Sequence, residues 1–209
     1  MRQLVAAFAA ALALAACDTP AVRSAVTAPT MAPQERTGLA ARLWGANAPA
    51  MAWDGQDQSG EWTAALLDAL EAEGVTLMSA MPADVLEYCP AYARQTPESR
   101  AAFWAGFLSK LAGQETGRNP GARKGDEVGL LAIAAEAARE NGCAAGLLDP
   151  RANLQCGVRI MARSITRDGA IGAEGPRGWR GAARDMLALR SRSDRTELAE
   201  WTRRQDYCR

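Results

Sequence analysis

The chain of 209 residues contains no histidine. That absence excludes histidine-dependent nucleophilic triads, imidazole proton shuttles and the common zinc sites. Acid–base chemistry near neutral pH then falls to a carboxylate with a raised pKa, or to lysine, tyrosine or cysteine. Charge of either sign is not in excess, with 24 basic against 24 acidic side chains. Nucleic acid is therefore not an expected partner, because a phosphate backbone is read by clustered lysine and arginine. No two cysteines have C-x-x-C or metal-knuckle spacing, so neither a metal nor a cofactor is expected. Beyond the first residues there is no long hydrophobic run, and no segment alternates in the manner of a strand.

An export signal stands at the start. Arg2 precedes an apolar core from Leu4 to Ala16, too short for a bilayer, which takes about 20 residues. Leu14-Ala15-Ala16-Cys17 resembles the lipobox of bacterial lipoproteins, in which the cysteine is lipidated and becomes the new N-terminus. The resemblance implies a lipid anchor at Cys17 and a place in the bacterial envelope facing the periplasm, with Asp18 favouring the inner membrane. The expected organisation is a signal over residues 1–16, a lipidated N-terminus and flexible linker over 17–58, and one domain over 59–209. The linker is rich in Ala, Pro, Thr, Ser and Gly, and Trp44 and Trp53, which interrupt it, either dock on the domain or stay with the linker.

The chain has five cysteines. With Cys17 reserved for lipid, Cys89, Cys143, Cys156 and Cys208 remain, an even set that an oxidising compartment pairs in one of three ways. Cys143 with Cys156 closes a short loop, worth about 3 kcal/mol. Cys89 with Cys208 then ties the C-terminal tail to the domain.

The domain reads as helices joined by Gly/Pro-marked loops. Ser59 is an expected cap for a helix that buries Trp62, Leu66, Leu67 and Leu70. Thr96-Pro97-Glu98 is a cap followed by a first-turn proline, and Trp104, Phe107, Leu108 and Leu111 then recur at helical spacing. A third helix is expected over Val128 to Glu140. Asp149-Pro150 opens a fourth, with Leu154, Val158, Met161 and Ile165 on one face. Further helices are expected over Gly178 to Leu189 and Arg195 to Gln205, which makes the fold mostly α.

Glu115 follows Leu111 by one helical turn and so extends the apolar stripe. A carboxylate there is either solvated at a frayed helix end or held at the lip of a pocket. In the second case, the negative helix end and partial burial raise its pKa. A carboxylic acid so placed can donate a proton to a glycosidic oxygen.

Three segments carry a family resemblance. Glu115-Thr116-Gly117-Arg118-Asn119-Pro120-Gly121-Ala122 is similar to the segment around the catalytic glutamate of the soluble lytic transglycosylases, Glu-Ser-x-Phe-Asn-Pro-x-Ala. Gly129-Leu130-Leu131-Ala132 stands where that family has a Gly-Leu-Met-Gln turn. Leu148-Asp149-Pro150-Arg151-Ala152-Asn153-Leu154-Gln155-Cys156-Gly157 resembles its Leu-x-Asp-Pro-x-x-Asn-Ile-x-x-Gly segment. In order and in register, they cover residues 100 to 167.

The resemblance implies a lysozyme-like fold of the goose-type and lytic-transglycosylase group, acting on peptidoglycan glycan strands. It implies cleavage between N-acetylmuramic acid and N-acetylglucosamine, with Glu115 as acid and then base and a 1,6-anhydro product. Gly129, Leu130 and Leu131 are the implied substrate-binding turn. Such chemistry needs no second carboxylate, unlike the usual glycosidase pair. Asp126 and Glu127 are candidates for one, but their place in an expected loop favours an exposed role.

The chain departs from the family pattern at the cleft. Ala132 replaces the turn glutamine, Lys124 falls near the usual serine, and no tyrosine occupies the late-helix position. Trp179 is placed either to pack in the core or to stack on a sugar. Arg177, Arg180 and Arg184 either face acidic groups of peptidoglycan or form a solvated basic face. These departures keep open a second function, a weak or inactive glycan-binding module that serves an envelope or cell-wall assembly. A hydrolytic lysozyme is the third.

Overall fold

The computed structural model describes residues 48–143 and 145–209 of the chain. The export signal, Cys17, Asp18, Trp44 and most of the linker lie outside the described residues.

Helix α1 (Ser59–Glu73) leads through α2 (Val75–Ser79) and α3 (Val85–Tyr88) to the long α4 (Pro97–Thr116). Thr96 caps α4, its hydroxyl accepting the Ser99 N–H, with proline in the first turn. A cap that satisfies an orphan amide and a ring that pre-sets φ explain why the helix starts there. Every residue from Ala101 to Leu108 is buried, which places α4 at the centre. It packs against α1, α2 and the terminal helix α7 (Arg192–Arg203), while α6 (Pro150–Asp168) lies along α1 and α2. Phe103, Trp104 and Phe107 of α4 meet Tyr88 and Tyr92 edge to face. The Trp104 indole N–H donates to the Tyr92 hydroxyl at 2.9 Å, which satisfies a donor taken out of water.

The start of the domain differs from the expected boundary. Met51 and Trp53, assigned to the linker, are buried in the core. The Trp53 indole donates to the Thr63 hydroxyl at 2.9 Å, and the Ala52 amide donates to Ser109 Oγ at 2.8 Å. A large apolar ring with a partnered N–H is driven inward whatever the composition around it. Ser59 is not the cap of α1 but its first residue; Gln58, at φ 66°, precedes it without a side-chain capping bond.

Two expected helices are largely not helical. Over Val128 to Glu140 the chain completes a three-stranded sheet, β1 (Arg123–Lys124), β2 (Glu127–Val128) and β3 (Ile133–Ala134), and only then forms α5 (Ala135–Glu140). Gly129 at φ 77° and Ala132 at φ 46° are incompatible with a continuous helix. Over Gly178 to Leu189 the chain forms β5 (Gly178–Gly181), paired antiparallel with β4 (Gly172–Gly175), and then 3-10 turns at Ala182–Arg184 and Leu187–Arg190. Long-range anchors decide this. The Asp84 carboxylate accepts the Ile171 and Gly172 amides at 2.7 and 2.8 Å, and Asp168 accepts that of Gly181 at 2.7 Å. At Gly181 (φ 66°) a Cβ would stand 2.0 Å from the Ala170 carbonyl oxygen, so only glycine fits. The terminal helix α7 begins three residues earlier than expected, with the Ser191 hydroxyl accepting the Asp194 amide at 3.3 Å.

The other start signal agrees with the structure. Asp149 caps α6 by accepting the Ala152 amide, with Pro150 in its first turn. Both disulfides form, Cys143–Cys156 and Cys89–Cys208.

Candidate functional site

Glu115 sits in the last turn of α4, on the face that carries the fully buried Trp104, Phe107, Leu108 and Leu111. Directly beyond it, Gly117 and Arg118 both take positive φ (64° and 65°), and their amides bond back to Gly113 O and Ala112 O. That closure satisfies the open carbonyls and ends the helix just past the carboxylate. Glu115 is half-buried, and Oε1 accepts the Ala188 N–H at 2.8 Å.

Burial lifts the Glu115 carboxyl from an ordinary 4.5 to about 7. The Ala188 amide pulls the other way, the charge of Glu127 adds to the rise, Lys124 opposes it, and Asp194 adds again. A carboxyl so placed is substantially protonated near neutral pH. Since Oε1 is taken by an amide donor, the proton is carried on Oε2.

The expected place of Glu127 is an exposed loop. It lies instead in β2, half-buried and near enough to raise the Glu115 carboxyl. The hairpin that carries it turns through Gly125-Asp126, with Lys124 opposite Glu127 and positive φ (64°) at Gly125. Glycine at the first position of a two-residue loop is a type II′ hairpin signal, legible in the sequence. Asp126, in the turn itself, is exposed. The Ala188 amide had no sequence signal, because a backbone donor is not a residue type.

The Gly129-Leu130-Leu131 turn, the implied substrate-binding segment, keeps its two leucine side chains inward. Leu130 and Leu131 are fully buried, so their side chains belong to the core and not to a sugar site. The Thr116 hydroxyl donates to Leu130 O at 2.9 Å. The buried Asn153 accepts the Leu131 amide at 2.9 Å and donates to Val128 O and Leu147 O at 3.0 Å each. Asn153 thus locks the turn that follows the Glu127 strand. Ala132, at the expected glutamine position, is also buried.

Gly129 has no room for a side chain. A Cβ there would stand 2.2 Å from Asn153 Nδ2 and 2.3 Å from Leu147 O. Gly129→Ala is expected to cost about 3 kcal/mol by combining positive-φ strain with a clash against a buried hydrogen-bond hub. Urea unfolding of the variant checks this, and little change in midpoint would contradict it.

Trp179, on β5, is half-buried, and the Arg195 guanidinium lies over its ring at 5.3 Å from the centroid. Arg177, Arg180 and Arg184 are exposed and line an open groove with Trp179. Tyr88 and Tyr92 are core residues, and the Tyr207 hydroxyl is buried without a hydrogen-bond partner. Among the described residues, no group of three Cys, Asp or Glu side chains is placed to hold a metal, and no helix is long and apolar enough to cross a membrane.

Neither a protein-family model nor a curated protein matches the chain. Solved structures of Bd0314 DslA do. Its wild-type form 2, and two mutants in which different glutamates are replaced by glutamine, match at 26% identity with a TM-score of 0.71. The match covers 78% of this chain and 100% of each of theirs. The domain is mostly helical, with the lysozyme-like fold expected from the sequence.

Proposed function

We propose that the domain cleaves the peptidoglycan glycan strand between N-acetylmuramic acid and N-acetylglucosamine as a lytic transglycosylase. The observation that carries this reading is the Glu115 carboxyl: half-buried at the end of α4, with a pKa of about 7 and one oxygen fixed by the Ala188 amide. Oε2 protonates the glycosidic oxygen as the bond to the anomeric carbon breaks. The carboxylate left behind takes the proton of the muramic 6-hydroxyl as that oxygen attacks the same carbon, closing the 1,6-anhydro ring. One group serves as acid and then base, and a pKa near the working pH suits both steps.

Glu127 favours a second reading, hydrolysis, in which another carboxylate activates water or stabilises the developing positive charge. The two glutamates replaced in the DslA mutants lie eleven positions apart in that chain. Asp126 and Glu127 lie eleven and twelve positions beyond Glu115 here. Mass analysis of muropeptides separates the readings, because hydrolysis leaves products heavier by one water than the anhydro sugars.

Glu127→Gln supplies a further test. Loss of its negative charge removes one cause of the raised Glu115 pKa, so the alkaline limb of the pH–rate profile moves to lower pH. As a transglycosylase the variant keeps its rate below that limb. A fall of about a hundredfold or more at every pH would instead favour the two-carboxylate mechanism.

A lipid at Cys17 and a linker ahead of Met51 would hold this domain beside the cell wall, on the periplasmic side of the inner membrane. Palmitate labelling that is lost in Cys17→Ser tests the anchor. Binding to sacculi without any cleavage would favour the alternative, a glycan-binding module of an envelope assembly.

A further inference from the structure

The end of α6 and the β4–β5 hairpin border an open groove of about 980 Å³. Arg167, Arg177, Arg180, Arg184 and Arg190 line it, together with Trp179 and a single carboxylate, Asp168. These arginines are not equally engaged. Arg167 forks onto Asp168 with two bonds of 2.8 Å, and Arg184 reaches Glu140 at 3.1 Å. Among the described residues, Arg190 donates only to the backbone carbonyls of Ala183 and Arg184, and Arg180 only to that of Asp168. Arg177, between the two strands, makes no side-chain hydrogen bond or ion pair among the described residues. Three exposed guanidinium groups therefore face one concave space with no carboxylate of the described residues in ion-pair contact, in a chain whose net charge is zero.

We propose that this groove binds the acidic peptide stems carried by the glycan strand on which Glu115 acts, an inference that rests on the reading given above. A guanidinium fork matches a carboxylate in two parallel hydrogen bonds, and several forks around one hollow suit a ligand with several carboxylates. The groove and the glutamate are linked through one structural element. Arg190 and Ala188 belong to the same 3-10 turn, Leu187–Arg190, and Ala188 is the residue whose amide holds Glu115. A polymer seated at Glu115 thus presents its nearest side branches to a wall built on the same turn. A flat anionic bilayer reaches the rim of such a hollow, whereas a peptide enters it. The stems give the strand a second point of attachment, and strands that carry them are the preferred substrate.

The test uses the full chain carrying Glu115→Gln, with binding measured to purified glycan strands that retain their peptide stems and to strands stripped of them by an amidase. Stem-bearing strands are expected to bind at least tenfold more tightly, a preference that added salt weakens. Arg177→Glu with Arg180→Glu abolishes the preference and leaves the affinity for stripped strands unchanged. Arg177→Glu alone removes no hydrogen bond, so it keeps the fold and loses part of the preference. Equal binding of both strands, or a preference that survives the double reversal, overturns the proposal. Arginine-dependent binding to phosphatidylglycerol vesicles without stem preference assigns the groove to a membrane and also overturns it. If the unmodified chain cleaves stripped strands as well as stem-bearing ones, only the groove proposal fails; if neither strand is bound or cleaved, the glycan-cleaving reading falls with it.

Discussion

Replacing Glu115 by glutamine is expected to abolish glycan cleavage and, above neutral pH, to make the domain more stable. The two effects have one cause. The carboxyl has a pKa of about 7 in the folded chain against an ordinary 4.5, and burial is the largest reason. Below pH 4.5 the group is protonated whether folded or unfolded and costs nothing. As pH rises from 4.5 towards 7 the unfolded chain loses this proton while the folded one retains it, and stability falls. Above pH 7 the whole difference is in force, on the order of 3 kcal/mol.

Glutamine does not titrate and still offers an oxygen to the Ala188 amide. The stability gap between Glu115→Gln and the native chain is therefore near zero at pH 4 and reaches about 3 kcal/mol by pH 8. Denaturant unfolding across that range measures it, and a gap independent of pH would mean that Glu115 is not buried as described. The rate falls by about a thousandfold or more, because no other group replaces the proton donor. An acid that destabilises the fold it sits in would trade stability against the proposed activity.

The second large effect concerns the disulfide that joins the ends of the helical core. Cys89–Cys208 spans 119 positions and Cys143–Cys156 spans 13. In the chain-entropy account, removal of the long-range bridge costs about 4–5 kcal/mol and removal of the short one about 3. The double variant Cys89→Ser, Cys208→Ser is thus expected to lower the melting temperature by about 10 °C. The corresponding Cys143, Cys156 variant should lower it less.

The C-terminal tail is not held by sulfur alone. Gln95 donates to Tyr207 O, and the Thr202 hydroxyl donates to Tyr88 O at 2.7 Å. The Tyr207 ring lies over Gly106 of α4, where a Cβ would meet its hydroxyl at 2.0 Å. Once the bridge is lost the tail can lift from α4, so proteolysis should begin at the C-terminus under reducing conditions. A native-like melting curve and an uncut tail after reduction would show that packing suffices.

What was legible in the sequence rests on interactions a few residues long. Thr96-Pro97 and Asp149-Pro150 mark helix starts because the cap oxygen and the amide it accepts are three residues apart. Glu115 reads as the continuation of an apolar stripe because helical spacing alone places it below Leu111. The even cysteine set follows from counting. The two small sheets were less legible: strands of two and four residues are too short to show a period, the first offered only its Gly125-Asp126 turn, and in the second carboxylates distant in sequence capture the amides. The motif places Leu130 and Leu131 in a turn but does not show that their side chains point into the core, beside the turn that Asn153 holds.

The sequence by itself determined a mostly helical domain, a carboxylate in line with an apolar helix face, and four cysteines able to pair. Only the tertiary structure decided which cysteines pair, that burial and Glu127 raise the pKa of Glu115, and that separate arginines share one groove. The physical reason is distance. Capping and helical phase act within one or two turns of chain, while desolvation and charge coupling depend on groups brought together only when the whole domain packs.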